Sequence, residues 1–257
     1  ILNFNSVDAR RSYASYVSHV CARYKDTKAI GAWIVGNEFA YYDLWEPPEI
    51  YHTHRFVGYD TNISLPDFRG WLSAKYGGDI DELNAAWGSS YAGFDAVNMS
   101  LYYPTNRENQ LETQQSGYND VIKWRKMSIS RFLQGGVAAS RSADTNHLVT
   151  YSMVGGIFNG RDDNIGCEDA RSIVEYCQAA GTPVDFWTIN NYPWTSTGNE
   201  LRSHDFGIAK YQETIKIPVL LSECGLSDND SILPETVYRQ KTALAGLPWE
   251  ALMCGAI

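Results

Sequence analysis

Residues Ala29-Ile30-Gly31-Ala32-Trp33-Ile34-Val35 run without a polar side chain and then stop in Gly36-Asn37-Glu38. Such a run suits a strand buried on both faces, as in a parallel sheet covered by helices. A carboxylate placed where that strand ends loses solvation, so Glu38 needs a partner or a task. The pattern recurs in Ile217-Pro218-Val219-Leu220-Leu221-Ser222-Glu223-Cys224-Gly225, a second apolar run that delivers a glutamate and then a glycine turn. Two strands, each carrying a glutamate at its C-terminal end, put a pair of carboxylates within reach of one ligand.

Around these runs strand and helix alternate. Val7 to Tyr24 carries Tyr13, Tyr16, Val17, Val20 and Tyr24 at helical spacing, and Asn119 to Ser140 sets Val121, Ile122, Trp124, Ile129, Phe132, Leu133 and Val137 on one side. Cys167 to Ala180, Leu201 to Thr214 and Pro234 to Leu247 read as further helices, and strands are expected to end near Glu38, Met153, Asn190, Glu223 and Ile257. Leu65 to Trp87 reads as an inserted helical pair broken at Gly77-Gly78, with Phe68, Trp71, Leu72 and Tyr76 on one apolar face and Ile80, Leu83 and Trp87 on the next. Gly88 to Gln115 has turn residues and no period, which predicts a loop shaping one end of the molecule. The alternation predicts an α/β fold, a parallel sheet wrapped in helices, and 257 residues suit one α/β barrel. The last apolar run stops at Ile257 in mid-strand, which predicts a segment of a longer chain.

Charge narrows the partners. A net charge of -9 and an isoelectric point near 5.0 argue against nucleic acid and anionic membrane surfaces. With 8 Trp and 17 Tyr the chain suits a neutral polar ligand such as carbohydrate, whose C–H faces stack on aromatic rings while carboxylates accept its hydroxyl protons. Trp45, Trp194 and Tyr41 either line such a site or pack the loops that carry them. The cysteines Cys21, Cys167, Cys177, Cys224 and Cys254 are scattered, and His52, His54 and His204 lack ligand spacing, so no metal site is expected and the thiols are read as buried and free. No apolar run reaches the roughly 18 residues of a membrane span.

Paired carboxyls have a specific use on sugars. Glycoside hydrolysis takes one protonated carboxyl to donate to the leaving oxygen and one ionised carboxylate across the anomeric carbon, and it needs no cofactor. The apolar strand behind Glu38 favours the neutral form and thus the acid/base role, while Ser222 beside Glu223 favours an ionised nucleophile.

Asn37-Glu38 and Leu220-Leu221-Ser222-Glu223-Cys224-Gly225 resemble the two signatures of the retaining (β/α)8-barrel glycoside hydrolases, in which these glutamates end the fourth and seventh strands. Phe68-Arg69-Gly70-Trp71-Leu72-Ser73-Ala74-Lys75-Tyr76-Gly77, with Leu83-Asn84 and Ala86-Trp87-Gly88 after it, is similar to a segment of the family 42 β-galactosidases. The resemblance implies an incomplete (β/α)8 TIM barrel without its first three strands, a single partial catalytic domain over residues 1–257 with a helical and loop insertion at about 40–115. Such a barrel would leave an unpaired edge beside the Glu38 strand, which predicts self-association. The resemblance also implies that Asn37 holds the substrate 2-hydroxyl and that Tyr192, after the sixth strand, hydrogen-bonds the nucleophile. The implied activity is that of a retaining, β-galactosidase-like glycosidase acting on an oligo- or polysaccharide. By the same resemblance the arginine that the clan places near its nucleophile is expected to belong to the missing strands and the tryptophan after the eighth strand to lie beyond Ile257, and the zinc-binding cysteine cluster of some family 42 enzymes has no counterpart among these cysteines. Two other readings stand beside it: a hydrolase of another polysaccharide on the same fold, such as an agarase, mannanase or glucanase, and a non-catalytic carbohydrate-binding relative. Retention of both glutamates favours an enzyme.

Overall fold

A computed structural model describes residues 3–39, 63–98, 116–154, 170–191 and 212–224. The expected elements over Leu201 to about residue 211, Pro234 to Leu247 and the run to Ile257 lie outside these residues, as does most of the predicted loop after Gly88.

Helix α1, Val7–Tyr24, starts where the Ser6 hydroxyl accepts the Ala9 amide at 3.2 Å, satisfying one otherwise unpaired donor. Its inward face is Tyr13, Val17 and Cys21; Tyr16 and Tyr24, expected on that face, are 70% and 43% exposed. Specific bonds set this rotation. The Tyr13 hydroxyl donates to the Val35 carbonyl at 2.7 Å, its ring stacks on Phe132 at 4.4 Å, and the Cys21 thiol meets Ser140 Oγ at 3.3 Å.

The strands β1 (Ala32–Asn37), β2 (Leu148–Val154), β3 (Trp187–Asn191) and β4 (Val219–Cys224) form one parallel sheet in the order β1-β2-β3-β4. A long helix, α4 (Ser116–Ala143), and α5 (Ala170–Ala179) lie between the strands in sequence. Val35, Val149, Tyr151, Trp187, Ile189 and Val219 from the sheet bury against Ile129, Phe132, Leu133 and Val137 of α4 and Ile173, Val174 and Cys177 of α5. Parallel strands with helices on one face and polar residues at the alternate positions form an arc of an α/β barrel. Contrary to the expectation of a strand buried on both faces, β1 buries Val35 while Ile34 is 49% exposed. The reason is position: β1 is the outer strand of the described sheet, and α4 covers one of its faces.

The predicted helical pair is α2 (Ser64–Lys75) and α3 (Ile80–Trp87), followed by a short 3₁₀ turn at Phe94–Ala96. Phe68, Leu72, Leu83 and Val97 bury against Val121 and Trp124 of α4. One helix therefore serves two cores, with its N-terminal half under the pair and its C-terminal half under the sheet. Buried polar contacts pin the first junction. Asp120 accepts from the Tyr76 hydroxyl at 2.7 Å, Trp87 Nε1 at 3.0 Å and the Lys75 ammonium, and Asp67 accepts from Trp124 Nε1 at 2.9 Å and Arg131 at 2.8 Å.

Cys21 and Cys177 are buried free thiols, as expected, and burial pushes the Cys177 thiol up to about 12. Among the described residues no helix is long and apolar enough to cross a membrane.

Candidate active site

Parallel pairing brings the C-terminal ends of all four strands to one edge, the edge at which barrel enzymes build their sites. Glu38 follows β1 directly and Glu223 is the fifth residue of β4, so the outer two strands of the described sheet carry the two carboxyls to that edge.

The ladder is irregular at both of these strands. Ile34 pairs with Thr150 but Asn37 pairs with Ser152, so Val35 and Gly36 together face Tyr151. Likewise Ile189 pairs with Leu221 but Asn190 pairs with Glu223, leaving Ser222 as the extra residue. The central β2–β3 pairing has no such slip. A bulge inserts one residue, bends its strand and re-aims the side chains that follow, and bulges gather beside active sites for that reason.

Between the glutamates lies Asn190, 1% exposed. Its side-chain amide donates to Glu38 Oε1 at 2.8 Å and to Asn37 Oδ1 at 2.9 Å. Its own oxygen accepts from Ser152 Oγ and Ser222 Oγ, both at 2.7 Å, and the two hydroxyls lie 3.0 Å apart. Every polar atom of the side chain is thus used, which is what lets an amide sit buried. Asn190 touches Glu38 through its side chain and faces Glu223 through the ladder.

Glu38 itself has φ +56°, the left-handed region that non-glycine residues seldom occupy. The neighbouring amides hold it there. Glu38 N donates to the Ser152 carbonyl at 2.9 Å, and Phe39 N donates to the Tyr151 hydroxyl at 2.6 Å. The Phe39 ring then packs among Phe4, Tyr13, Phe132 and Tyr151, with centroids 5.7 to 6.2 Å away. Gly36 makes room for that ring, since a Cβ at this position would lie 2.7 Å from Phe39 Cε2.

Of the residues singled out in the sequence, Asn37, Glu38 and Glu223 converge on this edge; Glu38 and Glu223 are half-buried and Asn37 is exposed. Trp45, Tyr192 and Trp194 lie outside the described residues. Sequence reasoning named Ser222 only as a neighbour of Glu223 and missed Asn190, Ser152 and Tyr151. A signal existed: Thr150 and Ser152 in β2, and Thr188 and Asn190 in β3, put polar side chains at alternate positions of strands that are otherwise apolar. Chemically, the Asn190 amide on Oε1 fixes the orientation of the Glu38 carboxyl at the sheet edge.

The family model described as β-galactosidase, glycoside hydrolase family 42, matches residues 2–224. A β-galactosidase from Halorubrum lacusprofundi is 27% identical over 209 residues, which is 79% of this chain and 26% of that protein. A β-galactosidase from an Arthrobacter species is 38% identical over 82 residues, 32% of this chain and 10% of its own length. Among solved structures, the β-galactosidase of the psychrophilic Marinomonas ef1 superposes with a TM-score of 0.60 at 18% identity, over 87% of this chain and 32% of that one. The chain thus spans about a third or less of each of these relatives.

Proposed function

We propose a retaining β-glycosidase activity for this chain, which belongs to glycoside hydrolase family 42, the β-galactosidase family. Glu38 is the general acid/base and Glu223 the nucleophile. In the first step a Glu223 oxygen bonds to the anomeric carbon as the glycosidic bond breaks, and Glu38 gives its proton to the leaving oxygen. In the second step Glu38 takes a proton from water, the water oxygen bonds to the anomeric carbon, and Glu223 leaves as a carboxylate with configuration retained. Asn37 receives the substrate 2-hydroxyl, Tyr192 hydrogen-bonds the nucleophile, and Trp45 and Trp194 line the sugar site. The substrate is a β-linked galactoside, consistent with the named activity of the relatives.

The observation that carries this reading is the pair of glutamates at the C-terminal ends of two strands of one parallel sheet, with Asn190 bonded to Glu38 through its side chain and paired with Glu223 in the ladder. A binding module has no need for a second carboxylate at that position, which favours an enzyme over a sugar-binding relative.

The test is Glu38→Ala in the intact protein. The variant loses roughly a hundredfold or more in kcat on an aryl β-galactoside, the usual share of general acid–base catalysis. Azide, entering the emptied space and attacking the glycosyl-enzyme without needing a base, restores turnover and yields the β-galactosyl azide. An α-configured azide product, or no loss of activity in the variant, would overturn the assignment. Hydrolysis of agar, mannan or glucan in place of galactosides would retain the mechanism and move the substrate.

A further inference from the structure

We propose that Tyr151 is a positioning residue for Glu38: its buried hydroxyl holds the peptide that follows the glutamate and so maintains the left-handed backbone from which the carboxyl reaches Asn190. The inference rests on the acid/base role of Glu38 proposed above.

The geometry that carries it starts at the β1 bulge. Tyr151 stands opposite the two residues Val35 and Gly36, at the point where the β1–β2 register slips. Its side chain is fully buried on the helix-covered face of the sheet, and its hydroxyl accepts the Phe39 amide at 2.6 Å. The hydroxyl thereby gives the Phe39 amide, which lies past the last residue of β1, a buried acceptor. A left-handed residue other than glycine is strained and persists where its surroundings over-determine it. Here the determinants are successive: the Glu38 amide on Ser152, the Phe39 amide on Tyr151, and the Phe39 ring between Phe4, Tyr13 and Phe132. Release of the middle one frees the Glu38–Phe39 peptide to rotate toward the extended conformation that any side chain prefers. That rotation swings the carboxyl off Asn190 while leaving Glu223, two strands beyond β2, undisturbed.

The separation between the two carboxyls makes the effect readable. A misplaced acid slows glycosidic cleavage in proportion to the leaving group's need for a proton, whereas misfolding slows all substrates alike. In the intact protein, Tyr151→Phe keeps the ring and removes the acceptor. The expected result is a fall of about tenfold to a hundredfold in kcat/KM for methoxyphenyl β-galactoside, as for a catalytic group displaced by about 1 Å, with dinitrophenyl β-galactoside changed by less than about threefold. Phe39→Leu, which loosens the ring lock and retains the hydroxyl contact, shows the same selectivity and serves if Tyr151→Phe does not fold. Equal loss on both substrates, or no loss on either, overturns the positioning role. Glu38→Ala on the same pair separates the two claims. If that variant lacks the leaving-group selectivity, the acid/base reading fails; if it has the selectivity and neither clamp variant does, the positioning proposal alone fails.

Discussion

Asn190 Nδ2 lies 2.8 Å from Glu38 Oε1, and the same asparagine is the ladder partner of Glu223. Its side-chain oxygen also accepts from Ser222 at 2.7 Å, so one buried side chain ties the end of the first described strand to the fourth. Removing it by Asn190→Ala leaves the hydroxyls of Ser152 and Ser222 without the acceptor they share and Glu38 without its amide donor. Buried groups stripped of a partner cost about 1–3 kcal/mol each. The variant is expected to melt several degrees lower and to lose roughly tenfold or more in kcat/KM on unactivated galactosides, read by calorimetry and initial rates. Unchanged kinetics in a folded variant would remove Asn190 from the site.

Two glycines are set by close approach rather than by turn geometry. A Cβ at Gly36 would strike the Phe39 ring and approach Leu133 Cδ2 to 3.2 Å, and one at Gly136, inside α4, would run into the Tyr13 hydroxyl and ring. Both neighbours are locked, Phe39 among aromatics and Tyr13 by its bond to the Val35 carbonyl. Gly136→Ala, favourable on helix propensity alone by about 1 kcal/mol, is expected instead to destabilise by about 1–3 kcal/mol. Urea unfolding checks the sign.

The helical pair depends on one acid. Asp120, 2% exposed, gathers Lys75, Tyr76 and Trp87 onto α4. In Asp120→Ala these donors lose their acceptor, and the pair is expected to open locally before the sheet does. Limited proteolysis should then cut first within residues 64–87, while the wild-type chain resists at the same protease level.

Much of this architecture was legible. The spacing of Trp124, Ile129, Phe132, Leu133 and Val137 marked α4 within a few residues of its ends, and the two glutamates were visible because a charge closes an apolar run. What holds Glu38 was not legible. Register slips arise from how two strands meet, and the left-handed φ of Glu38 is imposed by Tyr151 and by Phe39's ring partners, which come from residues as distant as Phe4 and Phe132. The rotation of α1 escaped for a similar reason. Its apolar tyrosines satisfied two helical faces, and the choice fell to a hydroxyl bond at Tyr13 and a thiol contact at Cys21.

Asp144 gives the fold a dependence on acid. Burial works against its charge, but Trp33 Nε1 at 2.7 Å, His147 Nδ1 at 2.6 Å and the Asn146 amide at 2.8 Å outweigh it, and the carboxyl is held below the ordinary aspartate value. A carboxyl whose value is lower folded than unfolded stabilises the fold above its unfolded value, about 3.9, and loses that contribution as pH falls through the folded one. Asp144→Asn should therefore be less stable than wild type at pH near 7, with the gap closing in acid below about pH 4. Urea midpoints measured across that range test it, and a gap that widens in acid would contradict the sign.

The most direct test of the central claim is to trap the glycosyl-enzyme. A galactosyl donor with fluorine at the second sugar carbon and a good leaving group forms the covalent intermediate and slows its hydrolysis. Incubated with the intact protein and analysed by peptide mass spectrometry, it is predicted to leave a fluorogalactosyl group on Glu223 and on no other residue, with labelling abolished in Glu223→Ala. A label on a different side chain, or turnover that releases the inverted sugar first, would contradict the two-glutamate account.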